Sequence, residues 1–166
     1  MQTKVTGRLF KLDKNIDTDQ IYPGRYLELT NVEDVVKHVL EGVDKSFPQK
    51  IKPGDILVTG TNFGCGSSRE QAATTLRASG LGAIVAESFA RIFYRNAINL
   101  GLPLVTCPGI TEKVADGDVI TVDMETGEIK NEKGEVIAQA EPLSDYMMNI
   151  LVNGGIKPLL AQQFTK

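Results

Sequence analysis

The stretch Gly60-Thr61-Asn62-Phe63-Gly64-Cys65-Gly66-Ser67-Ser68-Arg69-Glu70-Gln71 holds the side chains best suited to chemistry. It joins the apolar run Ile56-Leu57-Val58-Thr59 to a segment of helical character. At such a strand-to-helix turn, free backbone N–H groups and the positive end of the helix dipole stabilise an anion, and glycines let the backbone approach it closely. An arginine suits a carboxylate, because its planar fork makes two parallel charge-assisted hydrogen bonds. A serine beside it can be held as an alkoxide, since the amides and the guanidinium favour its charged form. The same residues also have a purely structural reading. Ser67 or Ser68 with Glu70 or Gln71 makes a capping box, and Arg69 can pair with a surface carboxylate. Chemistry alone leaves both readings open.

Spacing removes several other chemistries. A phosphate loop of the Gly-x4-Gly-Lys-Ser/Thr kind, counted from Gly60, meets Cys65 where the second glycine belongs and Gly66 where the lysine belongs. A Gly-x-Ser-x-Gly nucleophile turn is absent, and the only histidine, His38, is expected on a distant helix, turned to solvent away from a valine stripe. The dinucleotide fingerprint Gly-x-Gly-x-x-Gly matches Gly64 and Gly66 but meets Arg69 at its third glycine, while Glu87 ends the next strand at a suitable distance. A nucleotide-binding domain therefore stays open as a second class.

The elements that must position this loop follow from periodicity and punctuation. Val5 to Leu12 reads as a strand, and Thr30 with Glu33 makes a capping box for an amphipathic helix carrying Val32, Val35, Val36, Val39 and Leu40 as far as Gly42. Ile56–Thr59, Ala83–Ala86 and Pro103–Cys107 read as strands, separated by a helix from about Ser68 to Ala78 and by another that Ser88 caps and Gly101 closes. That order predicts parallel strands with right-handed crossovers. Val119–Asp123, Glu128–Lys130 and Val136–Gln139 alternate between turns and read as antiparallel hairpins, before a helix near Ser144 to Val152. Residues 157–166 carry no readable signal. The fold class is α/β, in a single domain over residues 1–166.

Composition bounds the partners. Lys and Arg number 18 against 21 Asp and Glu, a net charge of −3, so no basic field favours nucleic acid or an anionic membrane. No run approaches the roughly 18 apolar residues of a membrane span, and Met1 to Gly7 lacks the apolar core of an export signal, so a soluble cytoplasmic protein is expected. Two cysteines, Cys65 and Cys107, make no disulfide framework and are expected as reduced, packed thiols. Arg91 and Arg95 can be substrate contacts, but on a helix supporting ion pairs are commoner and are the reading favoured, and Asp17 and Asp19 read as turn residues.

Three segments together carry a resemblance. Asn15-Ile16-Asp17-Thr18-Asp19-Gln20-Ile21-Tyr22-Pro23, Asn62 to Glu70, and Glu87-Ser88-Phe89-Ala90-Arg91-Ile92-Phe93 are similar, in order, to motifs of the swivelling domain of the aconitase superfamily. The similarity runs from about Val5 to Gly155, and the size resembles the small subunits of the 3-isopropylmalate dehydratase group. The resemblance implies a swivelling β/β/α barrel-like domain of the aconitase C-terminal type. It implies a hydro-lyase acting on a small hydroxy di- or tricarboxylic acid, in which water is removed and re-added and the hydroxyl leaves to an iron of a cluster. By the same resemblance Ser67 matches the catalytic base, Asp19 an active-site acid, Arg69 the substrate-carboxylate ligand and Ser68 a substrate-contacting serine. Two cysteines and one histidine cannot furnish a cluster's ligands, so no metal is expected on this chain and a 4Fe-4S iron-sulfur cluster on a large partner subunit is.

The segment Tyr26-Leu27-Glu28-Leu29-Thr30 corresponds to the one that sets substrate choice in the family. Glu28 should repel an extra carboxylate while Leu29 lines an alkyl pocket beside Thr30, which favours an alkyl-substituted malate as in leucine biosynthesis. A 2,3-dimethylmalate dehydratase or a homoaconitase subunit is the alternative within the class.

Overall fold

Four strands lie side by side in parallel, and the central two are too apolar to leave a face in water. They are β1 (Lys4–Lys11), β2 (Ile56–Thr59), β3 (Ala83–Ala86) and β4 (Leu104–Thr106) in a computed structural model that describes residues 3–67 and 69–164. Every residue of β2 and β3 is buried, as strands covered on both faces must be. Leu9 pairs with Ile56, Ile56 with Ala83 and Ile84 with Leu104. On its other edge β1 pairs antiparallel with β5 (Val119–Asp123), followed by β6 (Glu128–Lys130) and β7 (Val136–Gln139). The seven strands run β4-β3-β2-β1-β5-β6-β7. Burial in β5 alternates, with Ile120 and Val122 inward, as expected for a sheet half that is wet on one side.

The sheet curls so that its two ends approach each other. Just past β7, the Glu141 N–H donates to the Thr106 carbonyl at the end of β4 at 2.9 Å. This contact turns the mixed sheet into a half-barrel and satisfies an edge that would otherwise be open. One apolar cluster fills the interior, from Leu9 and Ile56 to Ile150 and Leu151. Among the described residues no helix is long and apolar enough to cross a membrane.

The helices depart from expectation in instructive places. Asn31, not Thr30, caps the segment after the first loop, its side chain accepting from Glu33 N–H at 2.9 Å. The expected long helix is one turn, α2 (Val32–Val35), running into a 3-10 turn (Val36–His38). Tertiary docking ends it: Leu40 turns to φ 54°, is fully buried and donates to the Ile21 carbonyl at 2.8 Å. Gly42 then lies so close to the backbone that a Cβ would sit 2.5 Å from the Gln20 Cα. The Ile21 carbonyl belongs to α1 (Thr18–Ile21), and a further turn, α3 (Phe47–Lys50), went unread. The helix after the central loop, α4 (Glu70–Ala78), begins two residues later than expected, with Arg69 at its N-cap. Ala90 rather than Ser88 starts α5 (Arg91–Asn99), and α6 (Asp145–Val152) is capped by Ser144 as expected. Residues read as featureless form α7 (Ile156–Phe164), with Pro158 in its first turn, where proline costs no hydrogen bond.

Candidate active site

The loop after β2 is held on both sides by main-chain bonds. Gly64 N–H donates to Ile16 O at 2.8 Å, Thr18 N–H to Cys65 O at 2.9 Å, and Asn15 N–H to Thr61 O at 2.8 Å. On the other side Phe63 N–H donates to Ser88 O at 3.1 Å and Ala90 N–H to Phe63 O at 2.9 Å. The three sequence motifs thus meet in one place, although 15 and 93 lie far apart in the chain. Phe63, fully buried, forms the floor with Phe93 and Phe89 in edge-on contacts at centroid distances of 5.4 and 6.1 Å. Such pairs add about 0.5–1.5 kcal/mol each beyond burial, so the loop rests on a rigid base. Gly64 has φ 86° and a Cβ there would lie 2.3 Å from the Phe93 ring, so no other residue fits.

Ser67 is exposed at the lip of this turn, and among the described residues no side chain caps α4. The capping-box reading of Ser67 is therefore not what the chain adopts. Among the described residues its Oγ approaches only Thr18 Oγ1, at 3.4 Å, too long for a firm hydrogen bond. Ser68 lies outside the described residues. Arg69 is fixed from two directions: Nη1 donates to Asp19 Oδ1 at 2.6 Å and to the Tyr22 carbonyl at 3.0 Å. The same Asp19 oxygen accepts from Gly24 N–H at 2.8 Å. The Arg69 hydrogen bond first, and the Gly24 amide second, hold the Asp19 carboxyl below the usual carboxylate range. Asp19, expected as an active-site acid, is paired here with Arg69. Asp17 does turn chemistry, closing a capping box with Gln20 at 2.8 and 3.0 Å.

Ser67 and Arg69 share a cleft of about 220 Å³ with Thr18, Ile92, Asn96 and Arg91. Arg91 is the residue that sequence reasoning left aside. Neither it nor Arg95 finds the expected acidic partner among the described residues. Arg91 is instead the first residue of α5, whose N-terminus has no side-chain cap and whose first turn lines the cleft. Two guanidiniums and an uncapped helix start give the cleft a positive lining, chemically suited to carboxylates. The signal lay in the third motif, where Arg91 directly follows Phe89-Ala90.

The proposed specificity segment sits beside the arginine. Gly24 N–H bonds Asp19, a Cβ added at Gly24 would lie 3.2 Å from Arg69 Nη2, and Gln71 Nε2 donates to the Leu27 carbonyl at 3.3 Å. Glu28 and Thr30 are exposed, while Leu29 is half-buried and packs against the core. None of the three lines the cleft with Ser67; the apolar side chain most open to solvent in this segment is Leu27, 41% exposed. His38 is not solvated as expected. It stacks on Tyr26 with ring centroids 3.5 Å apart and bonds Glu41 at 2.6 Å. Burial raises the Glu41 pKa, but hydrogen bonds from Tyr26, His38 and Arg25 prevail and hold it down to about 2. A carboxylate depressed by folding stabilises fully above its ordinary pKa, and that contribution is lost as pH falls toward the folded value. Glu41→Gln should therefore melt roughly 3–6 °C lower at pH 7, and the gap should narrow steadily as pH falls below the ordinary carboxylate value toward about 2, as thermal melts across that range will read.

The dinucleotide pattern is not assembled. The Gly64 N–H is spent on Ile16, and Glu87 accepts from Gly109 N–H at 2.8 Å and Thr111 Oγ1 at 2.7 Å. Cys107 is buried, its thiol pushed up by burial and then by Glu87, and Cys65 is half-buried; both are free thiols. No group of three or more His, Cys, Asp or Glu able to hold a metal occurs among the described residues.

Comparison with known proteins agrees with this geometry. Residues 4–108 match the aconitase C-terminal domain. The chain is 50% identical, over 100% of its length and 99% of the relative's, to the isopropylmalate/citramalate isomerase small subunit of Methanocaldococcus jannaschii. It is 45% identical to the methanogen homoaconitase small subunit of Methanothermobacter thermautotrophicus, covering 94% of this chain and 90% of that one. A crystal structure of 3-isopropylmalate dehydratase from Methanocaldococcus jannaschii superimposes with a TM-score of 0.90 at 40% identity, over 96% of this chain and 95% of that one. Matched by domain, by length and by fold, the chain belongs to the aconitase C-terminal domain family, among small subunits of the 3-isopropylmalate dehydratase type.

Proposed function

We propose that this chain is the small subunit of a cytoplasmic hydro-lyase of the 3-isopropylmalate dehydratase type, and that it brings a proton acceptor, Ser67, and a carboxylate ligand, Arg69, to a site completed by a large subunit. One observation carries the reading: an uncapped serine hydroxyl shares a cleft with an arginine already oriented by Asp19 and a second arginine, Arg91, that has no acidic partner among the described residues. Ser67 Oγ takes the proton from the carbon beside a carboxylate. The pair of electrons from that C–H bond forms the double bond, and hydroxide leaves from the neighbouring carbon on the partner's side. Returning water in the opposite sense uses the same serine as proton donor. Arg69 grips one carboxylate by its fork and Arg91 receives the other, so a malate skeleton spans the two; Ser68, by its family match, adds a substrate contact. The donor set here does not fit an iron-sulfur cluster, because Cys107 is buried and Cys65 has no companion ligands, so the 4Fe-4S cluster is assigned to the large subunit.

Substrate choice is proposed to lie with the Leu27–Thr30 segment next to Arg69. Exposed Glu28 repels a third carboxylate and Leu29, set beside Leu27 and Thr30, favours an alkyl group. In the assembled enzyme, kcat/KM should be at least about tenfold higher for 3-isopropylmalate or a smaller alkylmalate than for homoaconitate, and Glu28→Arg should narrow or reverse that ratio. A parent enzyme preferring homoaconitate, or a mutant with unchanged ratios, removes the substrate assignment; no turnover of any of the three removes the hydro-lyase.

A further inference from the structure

Outside the cleft, three side chains close around one carboxylate, that of Glu41. One oxygen of Glu41 accepts from Arg25 Nη2 at 2.9 Å and from Tyr26 Oη at 2.6 Å, and the other bonds His38 Nδ1 at 2.6 Å. The imidazole lies flat on the Tyr26 ring, their planes 12° apart, and the Arg25 guanidinium stands 4.9 Å from the centre of the same ring. Most exposed ion pairs contribute little. This one differs, because the Glu41 side chain is only 13% exposed and both of its oxygens are used.

The cluster grips two consecutive residues, Arg25 and Tyr26, and these lie between the two points where the segment touches the arginine's surroundings. On one side, Gly24 N–H and Arg69 Nη1 meet on the same Asp19 oxygen, at 2.8 and 2.6 Å. On the other, Gln71 holds the Leu27 carbonyl. A third link runs through Tyr22, whose hydroxyl donates to the Tyr26 carbonyl at 2.6 Å while its own carbonyl accepts from Arg69 at 3.0 Å.

We propose that Glu41 is a positioning residue: by gripping Arg25 and Tyr26 it fixes the Gly24–Thr30 segment and, through Gly24 and Tyr22, the guanidinium of Arg69. The proposal rests on the reading of Arg69 as the substrate-carboxylate ligand. It differs from a merely structural role in what it moves, since the segment's place governs how substrate fits and not the proton transfer at Ser67.

Glu41→Gln and Tyr26→Phe, made in the full chain, test it by two readouts. The first is the nitrogen-proton NMR spectrum of the chain alone, watching the Gly24 amide and the Arg69 guanidinium. The second is kcat and KM for 3-isopropylmalate with the large subunit. Glu41→Gln should shift both signals while those of the distant β6 and β7 stay in place, and raise KM about tenfold with kcat within about threefold. Tyr26→Phe, which removes one donor and keeps the ring, should show the same pattern at smaller size and carries the test if the glutamine variant does not fold. Unmoved Gly24 and Arg69 signals with unchanged KM, or a loss confined to kcat, overturn the proposal. Shifted signals in a chain whose parent complex turns over no malate uphold the positioning and remove the hydro-lyase reading instead.

Discussion

Ser67→Ala is expected to lower kcat about 10³- to 10⁴-fold in the assembled enzyme, with folding and subunit association unchanged. The expectation follows from what the hydroxyl does not do. It caps no helix and makes only the 3.4 Å approach to Thr18, so its removal leaves no buried group unsatisfied. The methyl that remains occupies the same exposed lip. A capping serine behaves the other way, costing about 1 kcal/mol of stability on truncation and little rate. Melting temperature, subunit affinity and steady-state rates on one preparation separate the two. A stable variant that turns over at near-parent rates would remove Ser67 from the chemistry.

Arg69→Lys is expected to lower kcat/KM about 10²- to 10³-fold, mostly through KM. Arg69 Nη1 donates to Asp19 and to the Tyr22 carbonyl, and lysine, which keeps the charge, has no second nitrogen to offer a substrate carboxylate while it holds those partners. The side chain is 20% exposed against 66% for Asp19, so the arginine is held inward by its partner and not splayed into solvent. Asp19→Asn should reproduce part of the loss, because a neutral amide orients the guanidinium less firmly than the carboxylate that Arg69 and Gly24 now keep ionised. If both variants leave KM unchanged, the pair is a surface ion pair with no bearing on substrate.

The parallel half of the sheet was legible because β2, β3 and β4 are short, apolar and separated by glycine-closed helices, and the antiparallel half because β5 alternates. Local signals failed where a long-range contact decides. Val39 and Leu40 continue a helical stripe on paper, yet the Leu40 amide is taken by Ile21 and the helix stops. Ser88 looks like an N-cap, but its hydroxyl accepts from the Asn62 N–H at 2.8 Å and Ala90 begins the helix. His38 reads as solvated from its spacing and is instead mostly covered, because Tyr26 from another segment lies over it. At the site, the loop from Gly60 to Arg69 was readable as an anion turn, and the family motifs pointed to Asp19. The ionised pairing of Asp19 with Arg69, and the presence of Arg91 in the same cleft, depend on how residues 15–23 and 87–93 fold onto that loop, which periodicity does not encode.

The central claim is that one active site is divided between two chains, with this one holding the base and the carboxylate ligand. The most direct measurement is dehydration of 3-isopropylmalate by this chain alone, by its anaerobically reconstituted iron-sulfur large subunit alone, and by the two together, with iron determined in each. The account predicts an iron-free, inactive small chain, an inactive large chain, and activity that saturates as the small chain is added and fails to appear when Ser67→Ala replaces it. Turnover by this chain alone, or by the large subunit without it, would contradict the account.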